Sequence, residues 1–310
     1  MQERQRRLEA RDPTSRGGFD GLWVALATSF RQDGSLDLQA CSALTTRVVE
    51  GGAHGLVALG STGEAATLDD DERERIVETV IAAARGLPVI VGCGSNDTRE
   101  AVRFTRSARA AGANGALLVT PYYNKPNPDG LFAHFAAVAE AAADFPLMVY
   151  NVPGRTGQNL TPPNLARLWS IPSVVAIKES SGDLAQIDRM LRELPEGRTV
   201  LAGDDWIALA AIALGARGLV SVAGNVMPTE MRRLVEAALD GRLTEARHLH
   251  RALSPLMEAL FLESNPVPLK AALAILGIAD DTVRLPLSRA SEETRRRLDG
   301  VLAGFREVAA

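Results

Sequence analysis

The chain is poor in cysteine, histidine and lysine, and each shortage narrows what it can be. Only two cysteines, Cys41 and Cys93, occur in 310 residues. They make neither a disulfide framework nor a zinc pattern, which suits a reducing, cytoplasmic setting. The four histidines are scattered, and the closest pair, His248 and His250, stands two apart. That spacing does not share a helix face, so metal-assisted catalysis is not expected. A formal charge of -4 offers no basic field to nucleic acid. No apolar run approaches the roughly 20 residues of a membrane span, so a membrane partner is not expected either. The opening MQERQRRLEARDPTSRGG lacks the apolar stretch of a secretory signal, and residues 1–18 read as a disordered arm.

Lysine is the informative shortage. Of 34 Lys and Arg residues only Lys125, Lys178 and Lys270 are lysine, so general surface charge is written in arginine. Lys178 sits at the end of an apolar run, VVAIKESSGD (174–183), and a glutamate follows it. An ammonium there is costly unless something uses it. Arginine stays protonated and is a poor nucleophile, whereas a desolvated lysine amine can attack a carbonyl carbon. The plain alternative is a strand-end lysine that reaches solvent or pairs with Glu179.

Short apolar runs alternate with amphipathic stretches about every 25 to 35 residues, the pattern of parallel strands joined by helices. Eight runs qualify: 22–28, 55–60, 88–93, 115–120, 146–151, 173–179, 199–203 and 217–223. Their continuous apolarity fits strands covered on both faces. Asp69 and Asp97 stand as N-caps of the helical stretches that follow them, with Gly86 and Gly112 beyond the ends. These features predict an α/β fold, a (β/α)8 TIM barrel over 19–240 with a C-terminal three-helix appendage over 241–310. A doubly wound open sheet is the alternative.

In a barrel the chemistry lies where the strands end. The polar residues there are Thr28 and Ser29, GSTGE (60–64), TPYYN (120–124), YNVPGRTG (150–157), Lys178 with Glu179, GDD (203–205) and Ser221. An ammonium buried among apolar neighbours is driven toward the neutral amine, which forms a Schiff base with a ketone. The adjacent carbon can then lose a proton and attack an aldehyde. Tyr150, on the neighbouring strand, is the candidate proton carrier, with the hydroxyls of Ser61 and Tyr123 as a relay. Thr62 and the amides of GSTGE offer donors to a carboxylate, which points to a 2-oxo acid. Arg155 is the cation suited to a second carboxylate, or else a loop salt-bridge partner. No dinucleotide fingerprint is present, and the covalent lysine adduct needs no cofactor.

From Gly21 to about Leu287 the chain resembles the pyruvate-dependent class I aldolases, the family of dihydrodipicolinate synthase and N-acetylneuraminate lyase. GSTGEAATL, VTPYYNKP, VYNVPGRTG, IKESSGDL, GDD and ESNPVPLK occur in that family's order and spacing. The resemblance implies that Lys178 is the Schiff-base lysine and Tyr150 the proton donor and acceptor, with Ser61 and Tyr123 as relay. It implies that Thr62 and the backbone of Val220 form the pyruvate site, with Gly203 beside it. The tyrosine matching Tyr123 enters a neighbouring subunit's site in that family, which implies an oligomer, a homotetramer built as a dimer of dimers. YNVPGRTG with Arg155, and NPVPLK, match the synthase branch, in which the partner aldehyde is L-aspartate 4-semialdehyde and the product is 4-hydroxy-tetrahydrodipicolinate, on the way to diaminopimelate and lysine.

Ser61 departs from that branch, where threonine is usual. Another pyruvate-dependent aldolase or 2-oxo acid lyase therefore stays open as an alternative, as does a barrel that binds a 2-oxo acid without turnover. Lysine-sensitive synthases also bind their end product in a cleft, and here Asn96, Glu100 and Tyr122 match its contacts. Ala65, Asp70 and Arg73 do not. A guanidinium at position 73 repels a cationic ligand or fills its space, with Asp70 one turn away as its expected partner. Weak or absent inhibition by lysine is the expectation.

Overall fold

The computed structural model describes residues 18–309, so all but the last residue of the expected N-terminal arm lies outside the described residues. Eight strands form one closed parallel barrel in chain order: β1 (Gly21–Ala25), β2 (Gly55–Ala58), β3 (Val89–Gly92), β4 (Gly115–Val119), β5 (Leu147–Asn151), β6 (Val174–Glu179), β7 (Thr199–Ala202) and β8 (Gly218–Ser221). Each overlaps an apolar run expected to be a strand, and the doubly wound alternative is excluded by closure. The seam pairs Gly21 with Gly218. A side chain on Gly218 would run into the Gly21 backbone, its Cβ 2.1 Å from that carbonyl oxygen, so the seam requires glycine there.

Both strand faces are apolar because each faces a different core. Trp23, Val57, Ile90, Leu117, Met148, Ala176, Leu201 and Val220 fill the barrel interior. Phe19 stacks on Trp23 at 5.2 Å. The intervening residues, among them Leu22, Leu56, Leu118, Ile177 and Leu219, pack outward against the helices. Alternation of side chains along each strand makes this division.

The helices between strands are α1 (Leu38–Glu50), α2 (Asp70–Ala83), α3 (Thr98–Ala110), α4 (Pro128–Ala141), α5 (Pro162–Leu168), α6 (Leu184–Arg192), α7 (Ala208–Leu214) and, after β8, α8 (Pro228–Leu239). The expected caps are in place. Asp69 and Glu72 form a reciprocal capping box at α2, and Asp97 accepts from Arg99 N at α3. Such caps stabilise a helix by about 1 kcal/mol each. Three further helices follow, α9 (Leu243–Ala259), α10 (Val267–Ile275) and α11 (Glu292–Ala309). Every residue of α10 from Val267 to Leu273 is buried, so this helix is core rather than covering.

Candidate active site

Alternation decides where the Lys–Glu pair points. Ala176 faces the interior, so Lys178, two residues on, faces it as well, while Glu179 faces the helix layer. Lys178 is Cα-paired with Tyr150 across the β5–β6 ladder, and its Nζ lies 4.3 Å from the centre of the Tyr150 ring. Among the described residues Nζ makes no ion pair and no hydrogen bond to the protein. Lys178 does not pair with Glu179. That carboxylate is fully buried and accepts instead from Asn151 Nδ2 at 2.9 and 3.2 Å and from Ser181 N at 2.7 Å. Burial pushes the Glu179 carboxyl up, and the hydrogen bonds oppose that shift. The Asn151–Glu179 bond thus ties the two strands together one residue beyond the Tyr150–Lys178 pair.

Across the other edge of β6, Gly203 leaves room for the lysine stem. A Cβ there would stand 1.9 Å from Ser180 Oγ and 3.0 Å from Lys178 Cε. Asp204 follows, half-buried. Burial pushes its carboxyl up, and the nearby Lys178 charge pulls the other way. Asp205 is structural. It is fully enclosed and accepts from Ser221 Oγ and from the backbone N–H groups of Val222 and Ala223 at 3.0 Å, which shapes the turn after β8. Val220 lies just before that turn on the interior wall.

GSTGE forms a short 3-10 turn over Ser61–Gly63. Ser61 is half-buried and Thr62 buried. Thr62 Oγ1 accepts from Asn265 Nδ2 at 2.9 Å. Glu64 closes the turn in the left-handed region, φ 51°, and its carboxylate forms a buried ion pair with Lys270 of α10. Lys270 also donates to the Thr282 carbonyl at 2.8 Å, and Arg284 N donates to Glu64 at 3.0 Å. Burial pushes the Lys270 ammonium down and Glu64 opposes it. Arg155, exposed in the short helical turn Pro153–Thr156 after β5, donates to the Asn265 carbonyl at 3.0 Å. It is tethered to the rim, and among the described residues it makes no salt bridge.

Tyr123 does not join its own chain's site. It is 89% exposed and held at φ 69°, and among the described residues no hydrogen bond links the hydroxyls of Ser61, Tyr123 and Tyr150.

At the positions matched to lysine regulation, Arg73 turns into the chain. Arg73 is buried, donates to the carbonyls of Gly92 (2.8 Å) and Ala65 (3.2 Å) and lies 3.9 Å over Phe104. The expected Asp70–Arg73 pair is not formed. Asp70 pairs with Arg103, which also takes Glu100, because Arg73 turns inward to the ring and carbonyls while Asp70 stays at the exposed helix start.

A closed barrel with an inward lysine beside a tyrosine on the next strand can form and protonate an imine. The sequence of the whole chain agrees with that geometry, since a model of the Dihydrodipicolinate synthetase family matches residues 18–304. The chain belongs to this family. A 4-hydroxy-tetrahydrodipicolinate synthase of Methanospirillum hungatei is 46% identical over 291 residues, 93% of this chain and 99% of that one. The dihydrodipicolinate synthase of Aquifex aeolicus superposes with a TM-score of 0.90 at 40% identity, over 93% of this chain and 98% of the other. A chloride-inhibited dihydrodipicolinate synthase from Acinetobacter baumannii, solved in complex with pyruvate, gives 0.90 at 39% identity over 92% and 98%.

Within this family frame, the site includes residues that sequence reasoning passed over. Asn265 and Lys270 were visible only as letters of ESNPVPLK, and 203 residues separate Asn265 from Thr62. Asp204 was visible in GDD, but nothing in the string distinguished it from Asp205, which the fold buries for a different purpose.

Proposed function

We propose that this chain is a lyase that condenses pyruvate with L-aspartate 4-semialdehyde through a Schiff base on Lys178, giving 4-hydroxy-tetrahydrodipicolinate for diaminopimelate and lysine biosynthesis. The observation that carries the proposal is the Lys178 amine, buried 4.3 Å from the Tyr150 ring centre and without an ion pair among the described residues. The name and near-complete coverage of the Methanospirillum hungatei relative support it.

In this scheme the Lys178 amine adds to C2 of pyruvate, and water leaves as the imine forms. A proton leaves C3, and the enamine carbon attacks the aldehyde carbon of the second substrate, whose oxygen takes up a proton. The amino group of that substrate then displaces Lys178 from the imine carbon and closes the ring. Overall, pyruvate and the semialdehyde give the product and one water. Tyr150 carries the protons, Thr62 holds the pyruvate carboxylate, the Val220 backbone lines the pyruvate site, Gly203 leaves space for the adduct, and Arg155 takes the second carboxylate. The lysine adduct replaces any cofactor, and no metal takes part. Ser61 relays protons together with Tyr123 from a neighbouring copy, so the working unit is an oligomer, a homotetramer of two dimers. The exposure of Tyr123 supports that division of labour. A cytoplasmic location fits the two buried free cysteines.

Ser61, where the synthase branch usually has threonine, favours a second reading, a related pyruvate aldolase or 2-oxo acid lyase. A coupled assay comparing aspartate semialdehyde with N-acetylmannosamine separates the two. Turnover of the semialdehyde at least about 100-fold faster in kcat/KM, or roughly 2.7 kcal/mol of preference, is expected. A preference for the sugar would replace the synthase reading.

A further inference from the structure

Asn265 lies in the turn between α9 and α10, and the chemistry above makes no use of its side chain. Its amide is buried. Nδ2 donates to Thr62 Oγ1 at 2.9 Å, while Oδ1 is enclosed without a partner among the described residues. Its backbone carbonyl accepts from Arg155 at 3.0 Å. One residue of the appendage therefore touches both the threonine assigned to the first carboxylate and the arginine assigned to the second.

The direction of the Asn265–Thr62 bond matters. A hydroxyl carries one proton and accepts on its oxygen, and an amide NH2 only donates. With Nδ2 bonded to Oγ1, the Thr62 proton is left to point elsewhere, and among the described residues it makes no hydrogen bond. A carboxylate offers only acceptors. We propose that Asn265 is a positioning residue that fixes Thr62 as a hydrogen-bond donor toward the carboxylate of the 2-oxo acid, so that the C-terminal appendage takes part in substrate selection. This inference rests on the assignment of Thr62 to pyruvate. Reversing the amide would reverse the bond: an oxygen facing Thr62 would take its proton and turn a lone pair toward the substrate.

Substitution by aspartate imposes that reversal at nearly constant shape, so the order of two variants separates orientation from packing. Pyruvate is titrated against the full-length protein, the imine is trapped with borohydride, and the labelled fraction is read by intact mass, with thermal melting alongside. No aldehyde is needed. Asn265→Ala is expected to raise half-saturating pyruvate about 10-fold, and Asn265→Asp about 100-fold or more, with full labelling still reached in Asn265→Ala. A residue that only fills space gives the opposite order, with the isosteric aspartate milder than alanine, and that order would overturn the proposal. Half-saturation within twofold of the parent in Asn265→Ala would overturn it too. If Asn265→Asp melts early, the Thr62→Val background supplies the check. There Asn265→Ala should shift half-saturation by less than about twofold, since no hydroxyl remains to orient, and an undiminished shift would contradict the role. An unlabelled parent would remove the Schiff-base reading and this inference together, whereas a labelled parent with unresponsive variants would remove only the inference.

Discussion

Lys178 and Lys270 are the two buried lysines of the chain, 5% and 1% exposed, and each holds its Nζ over an aromatic ring, at 4.3 Å from Tyr150 and 4.2 Å from Phe30. The ring contact therefore does not distinguish them. Lys270 has a carboxylate and a carbonyl as well, and its role is completed by the protein. Among the described residues Lys178 has neither, and its strand neighbour Glu179 is turned to the opposite face. A buried amine whose partners are all present serves the fold, whereas one left without acceptors in a barrel mouth is available to a substrate.

The comparison breaks most sharply at Lys178. Lys178→Arg keeps the charge and removes the nucleophile, so turnover should fall below about 1% of the parent with the melting temperature little changed. Activity above that level would end the Schiff-base assignment. The converse variant, Lys270→Met, strands Glu64 as an unpaired buried charge and should lower folding stability by about 3 to 5 kcal/mol in denaturant melts. Surviving folded protein should still trap pyruvate on Lys178. A loss of trapping in well-folded Lys270→Met would erase the distinction between the two lysines.

A smaller effect is expected at Arg155, which the fold tethers without neutralising. Arg155→Ala should cost about 1.5 to 3 kcal/mol in specificity for the semialdehyde, roughly 10-fold to 150-fold in kcat/KM, with pyruvate adduct formation unchanged. An equal loss of both would make Arg155 a support for the rim. The smallest effect concerns lysine as a ligand. Arg73, bound to two carbonyls and lying over Phe104, places a cation at the matched positions, which opposes a cationic ligand. Initial rates at saturating pyruvate should therefore fall by less than half even at about 10 mM lysine, a range in which a millimolar site is largely filled. Inhibition by more than half at 1 mM would show the cleft still open.

The barrel was legible because its signal is local. Eight apolar runs and the Asp69 and Asp97 caps can be read within windows of a few residues, and together with the scarcity of lysine over the whole chain they led to the closed sheet and to Lys178. The inward lysine and outward glutamate follow from strand alternation alone. The supports of the site were not legible in the same way. The Asn265–Thr62 bond and the Glu64–Lys270 pair join segments from opposite ends of the chain, and no periodicity reports such contacts. The Asp70–Arg73 pair failed for a related reason. Helical spacing made the two neighbours, but a ring and two carbonyls supplied by other elements drew Arg73 inward.

The most direct test is a peptide map of the parent protein after treatment with pyruvate and borohydride. The expected result is a single pyruvate-derived mass increment on the peptide containing Lys178, with Lys270 and Lys125 unlabelled. Label on Lys270, or folded protein with no label on Lys178, would contradict the account.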